Sequence, residues 1–178
     1  MKINKKKQSS GFTLVEALFA AMLLGLVIAA LAAASGSFTM ANGYGVDLST
    51  AEFLIEEMRE YTATLPVVDP EDGDSVFGIE TGESHIDVYD DDTDDIGAYD
   101  DIDDFNGMTI PTPIDVNGEP MNDFGEFSQK ITIENVAGAD FGGTGQAAHS
   151  TDFVRVTVTV TKGSQPISST SWIRARLN

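Results

Sequence analysis

Ser9-Ser10-Gly11-Phe12-Thr13-Leu14-Val15-Glu16-Ala17-Leu18-Phe19-Ala20-Ala21-Met22-Leu23-Leu24-Gly25 is the stretch whose reading decides how this chain is built. From Leu14 to Ala34 nearly every residue is apolar; the exceptions are Glu16 and Gly25. About 20 apolar residues, rising ~1.5 Å each as a helix, cover a hydrocarbon core of about 30 Å. The segment is therefore long enough to span a membrane. A carboxylate within such a span costs roughly 2.5–3.5 kcal/mol near the helix centre even on insertion scales. Glu16 thus needs a reason to be there.

The flanking charge gives the orientation. Lys2, Lys5, Lys6 and Lys7 precede the apolar run and account for four of the ten basic residues. With those four lysines ahead of Gly11, the formal charge of −19 for the whole 178-residue chain becomes −23 for the remainder. Lysines immediately before a span hold that end in the cytoplasm, so the acidic remainder is expected outside. An acidic domain repels phosphate, and no basic patch with interleaved aromatics is present, which argues against nucleic acid as a partner. There is no cysteine. Stability must come from packing, from assembly or from bound cations rather than from disulfides.

Two readings fit the N-terminus. One is a secretory signal peptide, with a basic start, an apolar core and Ala32-Ala33-Ala34-Ser35 as a small-residue cleavage site. In that scheme Glu16 has no role. The other rests on Gly11-Phe12-Thr13-Leu14-Val15-Glu16, which resembles the prepilin-type cleavage and methylation motif of type IV pilins and type II secretion pseudopilins. The likeness covers the basic leader, the glycine, the phenylalanine, the glutamate and the apolar helix.

That resemblance implies cleavage after Gly11 by the prepilin peptidase, N-methylation of Phe12, and a location in the bacterial inner membrane. The leader would be cytoplasmic and the C-terminal domain periplasmic. It also implies partners: other pilin or pseudopilin subunits, with Glu16 meeting the N-terminal amine of a neighbour. Since a buried carboxylate is acceptable only when paired, Glu16 is expected to be unsatisfied in the lone subunit and neutralised on polymerisation. Snorkelling of Glu16 to the headgroups is the competing account.

Beyond the span, Gly25 is a mild weak point in the helix. The resembled filaments loosen their helix nearby; small-residue packing between helices is the alternative. Asn42-Gly43-Tyr44-Gly45 is a stronger interruption, and a kink or a break in the helix is expected near residue 43. Ser49-Thr50-Ala51-Glu52 has the form of a capping box, Ser49 capping and Glu52 three residues on. Leu54, Met58, Tyr61 and Leu65 then recur at helical spacing until Pro66. The expected divisions are a leader, 1–11; a membrane and assembly helix, 12–35; the outer half of the long helix, 36–65; and an extracytoplasmic acidic loop region with an antiparallel sheet, 66–178.

Residues 66–125 are loop-rich and acidic, with short strands expected near Val76–Ile79 and His85–Tyr89. The last third is clearer. Phe127, Ile131 and Ile133 share a strand face within 126–136. Val154, Val156, Val158 and Val160 alternate with Arg155, Thr157, Thr159 and Thr161. A turn at Lys162–Pro166 precedes a second alternating run from Ile167 to Leu177, which makes a hairpin. The fold class is α+β, a long N-terminal helix whose outer half lies on a small C-terminal antiparallel sheet, as in pilins. The Ala/Leu/Glu/Met-rich stretch Glu52–Glu60 and the element Tyr99-Asp100-Asp101-Ile102-Asp103-Asp104-Phe105-Asn106-Gly107 resemble PilV-like minor pilins. The C-terminal disulfide of many major pilins has no counterpart here, which leans toward a minor subunit.

The aspartate runs raise calcium, a hard cation that takes six to eight oxygens. Asp90, Asp92 and Asp94 fall at alternate ligand positions, and Asp101 falls where an EF-hand keeps its bidentate residue. Asp95 stands where that loop requires glycine, so this is not an EF-hand. Asp101, Asp103 and Asn106 before Gly107 suit another kind of loop. The competing account is a solvated acidic face. No cofactor is required, and a structural calcium is the one metal the sequence suggests.

Catalysis finds little support. His85 and His149 are the only histidines, His85 and Asp87 lack a placed nucleophile, and neither a nucleophile elbow nor a phosphate loop occurs. The expected role is structural rather than enzymatic. The alternative is a membrane-anchored or secreted acidic interaction module that never polymerises.

Overall fold

The computed structural model describes residues 11–67 and 101–176. Helix α1 runs Leu14–Ala63, followed by a short 3-10 turn at Asp103–Phe105, strand β1 (Thr109–Ile110), a second 3-10 turn at Asn122–Phe124, and strands β2 (Phe127–Asn135), β3 (Phe153–Lys162) and β4 (Gln165–Ala175). The four strands form one antiparallel sheet in the order β1-β2-β3-β4. The expected α+β architecture is the one observed. The strands proposed near 76–79 and 85–89 lie outside the described residues.

The chain divides into two compact units, 1–45 and 46–178. In the first, α1 is apolar and exposed throughout, from Leu14 to Leu31 and on to Phe38, Met40 and Tyr44. It is long and apolar enough to cross a membrane.

In the second unit the outer part of α1 buries Ala51, Leu54, Ile55, Met58 and Thr62 along one stripe. Spacings of three and four residues put these on a single helix face. They join a core supplied by the sheet: Phe127, Ile131 and Ile133 from β2, and Val154, Val156, Val158 and Val160 from β3. In register Ile131 lies opposite Val158 and Ile133 opposite Val156, so the two apolar rows fall on one sheet face. The valine–threonine alternation of β3 thus has its expected cause: the valines are buried and the threonines lie on the other face.

Three polar ties hold helix to sheet. Gln129, fully buried among these apolar side chains, donates Nε2 to the Leu54 carbonyl at 2.8 Å and accepts at Oε1 from the Ile114 amide at 3.1 Å. Arg174 donates to the carbonyls of Thr62 and, at 2.9 Å, Leu65. A cation there satisfies the orphan carbonyls at the negative end of the helix. Lys162 reaches Asp47 at 2.8 Å and Glu126 at 3.2 Å, and the Asp47 bond raises its pKa.

Three expectations about α1 are corrected. The helix is unbroken through Asn42–Leu48, and Ser49 starts nothing because the helix is already running there. Glycine lowers helix propensity by about 1 kcal/mol but forbids nothing. The end comes at Ala63 rather than Leu65, one turn ahead of Pro66 as the proline requires.

The hairpin β3–β4 turns at Gly163, whose φ of 59° favours glycine. The register then shifts by one residue: Thr161 pairs with Pro166 and Val160 with Ser168, leaving Ile167 as a bulge. Trp172 consequently lies opposite Val156 and packs on the core, while Ile173 lies opposite Arg155 on the other face. A bulge resets the parity of a strand, so the single face expected for Ile167 through Leu177 is broken. The Trp172 ring is a core contact, with the Arg59 guanidinium 5.8 Å from its centroid.

Candidate processing and assembly site

The helix N-terminus is built by Thr13 and Glu16. Thr13 precedes the first helical residue and its carbonyl accepts from the Ala17 amide at 3.1 Å, which makes it the N-cap. Its Oγ1 accepts from the Glu16 amide at 3.3 Å. In return Glu16 Oε2 accepts from the Thr13 amide and from Thr13 Oγ1, both at 2.8 Å. This is a reciprocal capping box, satisfying orphan donors at the positive end of the helix. Glu16 is therefore not unsatisfied in the lone subunit, as the sequence reading supposed. Both bonds fall on Oε2, and among the described residues no donor is recorded on Oε1.

Just ahead, Gly11 and Phe12 lie outside the helix, and the Phe12 side chain is 75% exposed. A Cβ built on Gly11 meets nothing within 4 Å. Nothing within the described chain requires glycine there. The structure thus brings Gly11, Phe12 and Glu16 into one exposed turn, with the peptide link after Gly11 accessible.

The role of Thr13 escaped the sequence reading, although its signal was present. Thr13-Leu14-Val15-Glu16 has the same S/T-x-x-E form that was recognised at Ser49.

The acidic residues divide. Asp90, Asp92 and Asp94 lie outside the described residues. Asp101 and Asp103 come together with Asp104: one carboxylate oxygen from each lies within 4.8 Å of the others, and all three residues are buried. Asp101 Oδ1 accepts from the amides of Asp103 (2.7 Å) and Asp104 (3.3 Å), and Asp104 Oδ2 from that of Asp101 at 3.4 Å. His149, left-handed at φ 53°, points its Nε2 at Asp103 Oδ2, 2.9 Å away. Its backbone amide donates to Asn135 Oδ1 at 2.7 Å, which ties the 137–150 loop to β2. Asn106 accepts the Ile133 amide at 3.0 Å, and Gly107, at φ 82°, turns the chain into β1. Sequence reasoning missed both Asp104 and His149 as members of this cluster. They are 45 residues apart, and only the sheet brings them together.

The model of the prokaryotic N-terminal methylation motif matches residues 6–32, which include the whole capping box. No curated protein and no solved structure gave a significant match to the chain. The motif marks a protein processed by prepilin peptidase, and families that carry it are structural rather than enzymatic. The matched segment, with its exposed Gly11–Phe12 link and capped Glu16, supports a type IV pilin-like family.

Proposed function

We propose that this chain is a minor structural subunit of a type IV pilus or a type II secretion pseudopilus. It is inserted with its lysine leader in the cytoplasm and its sheet domain in the periplasm. It is cut between Gly11 and Phe12, methylated at Phe12, and assembled through α1. The observation that carries this reading is the turn itself: an accessible Gly11–Phe12 link, then a helix whose first-turn carboxylate has one oxygen occupied by Thr13. The other oxygen, Oε1, is where the ammonium of a neighbouring subunit would dock. Pairing a carboxylate with an ammonium where water is scarce offsets the desolvation of both.

Mass spectrometry of the mature N-terminus tests the processing step. N-methyl-Phe12 is expected. A retained lysine leader in cells with active prepilin peptidase, or a chain starting at Ser35, would overturn the proposal. Cross-linking in sheared filaments separates it from a membrane-anchored acidic module that never polymerises, which would yield no cross-links to other subunits.

A structural calcium is part of the same proposal: of the aspartates it involves, Asp101 and Asp103 lie together with Asp104 as a third carboxylate, and Asp90, Asp92 and Asp94 lie outside the described residues. Three buried carboxylates repel one another unless protonated or offset by positive charge.

A further inference from the structure

We propose that Asn117-Gly118 is a modification site: Asn117 loses its carboxamide without an enzyme, and the carboxylate left behind loosens the turn's hold on α1. The sequence holds three Asn-Gly pairs, Asn42-Gly43, Asn106-Gly107 and Asn117-Gly118. In such a pair the glycine amide nitrogen can reach the asparagine Cγ, because no Cβ shields it and the backbone rotates freely. The fold treats the three pairs differently. Asn42-Gly43 lies inside α1, which fixes its dihedrals and draws the Gly43 amide into the helical ladder. Asn106 Oδ1 is held by the Ile133 amide at 3.0 Å, and the Gly107 amide donates to the Ile131 carbonyl at 3.1 Å, so both reacting groups are tied to β2. Asn117 is exposed, and the Gly118 amide donates to the Asp115 carbonyl at 3.0 Å, within the same turn. Freeing it takes local opening of that turn and no break in helix or sheet.

The chemistry needs water alone. The Gly118 amide nitrogen gives its proton to solvent and bonds to Asn117 Cγ. The bond from Cγ to the side-chain nitrogen breaks, and that nitrogen leaves as ammonia with a proton from water. Water then opens the succinimide ring at either carbonyl. One opening leaves a carboxylate side chain on an ordinary backbone; the other routes the backbone through the side chain. Asn117 Nδ2 now donates to Asp115 Oδ2 at 3.3 Å. The product replaces that donor with a second negative charge beside Asp115, and like charges at this range repel. The turn is what meets the helix: the Val116 amide donates to Glu57 Oε2 at 2.9 Å, and Gly118, left-handed at φ 81°, lies against the Tyr61 ring. Conversion therefore weakens a tie between the turn and the outer part of α1.

Incubation of the full chain in lipid nanodiscs at mildly alkaline pH, followed by peptide mapping with mass spectrometry, tests the site. Asn117 is expected to convert at least about tenfold faster than Asn42 or Asn106. Asn117→Gln keeps the carboxamide but closes a larger ring more slowly, and should stop conversion at this position. Amides of Val116 and Glu119 should exchange about fivefold faster in aged wild type and in fresh Asn117→Asp, as loss of one hydrogen bond allows. Aged Asn117→Gln should keep the original rates. Conversion at Asn117 no faster than at the other two pairs would overturn the site. Unchanged exchange after conversion would overturn its effect on the turn. Neither readout depends on the chain's place in a filament.

Discussion

Replacing Thr13 by Ala removes one hydroxyl and, with it, two of the three bonds of the capping box: Glu16 N to Thr13 Oγ1, and Thr13 Oγ1 to Glu16 Oε2. The third, from the Thr13 amide to Glu16 Oε2, survives. Loss of an N-cap side chain costs about 1 kcal/mol, about a fivefold increase in opening of the first turn. Glu16→Ala should cost a similar or smaller amount, since it removes the two bonds to Oε2 and a carboxylate at the positive helix end. Because the two side chains share a bond, the double variant should cost less than the sum of the singles. A double-mutant cycle should therefore give a coupling of about 0.5 kcal/mol or more. The assay is amide exchange of Val15 and Glu16, the second and third helical positions, in micelles. Thr13→Ser keeps a hydroxyl at the same place and should retain most of the protection. If Thr13→Ser frays the turn as much as Thr13→Ala, or if the single costs simply add, the capping box does not hold Glu16 and its two carboxylate oxygens are equivalent.

The fold and the acidic elements carry further consequences. Gln129→Leu should destabilise the sheet domain by about 1–3 kcal/mol in urea unfolding, because it leaves the buried Ile114 amide without its acceptor; wild-type stability would show that the tie from helix to loop contributes nothing. Met58→Ala removes a fully buried side chain from the helix face and should cost about 2–5 kcal/mol by the same measurement. The Asp115 carboxyl, held below its ordinary 3.8 chiefly by the Glu119 amide with the Asn117 donors adding, braces the 115–119 turn. Its contribution is complete above the ordinary carboxylate range and is lost as pH falls through the lowered value, so Asn117 and Glu119 amide shifts should titrate there and Asp115→Asn should abolish the step. If calcium sits on Asp101, Asp103 and Asp104, adding it to chelator-treated protein should raise Tm, and Asp103→Asn should remove the rise; an unchanged Tm excludes the site.

How much of this was legible in the sequence follows from where each signal resides. β3 was readable because every alternate residue meets the same core; period two in Val154–Val160 is a direct print of burial. The stripe Leu54–Met58 was readable for the same reason at helical spacing. The break expected at Asn42–Gly45 was not found, because propensity alone does not end a helix. A penalty of about 1 kcal/mol per glycine lowers the stability of a helix long before it changes its resting shape. The face of β4 was unreadable because a one-residue bulge at Ile167 arises from Pro166 and the hairpin turn acting together, and no periodicity records it. The capping signature makes the point most sharply. It occurs twice, at Thr13…Glu16 and Ser49…Glu52, with equal merit as a pattern, yet only the first begins a helix. What separates them is context: Thr13 follows a glycine and a phenylalanine that lie outside the helix, whereas Ser49 sits where the helix arrives already formed. Local chemistry proposes a helix start; the state of the preceding residues decides whether one is needed.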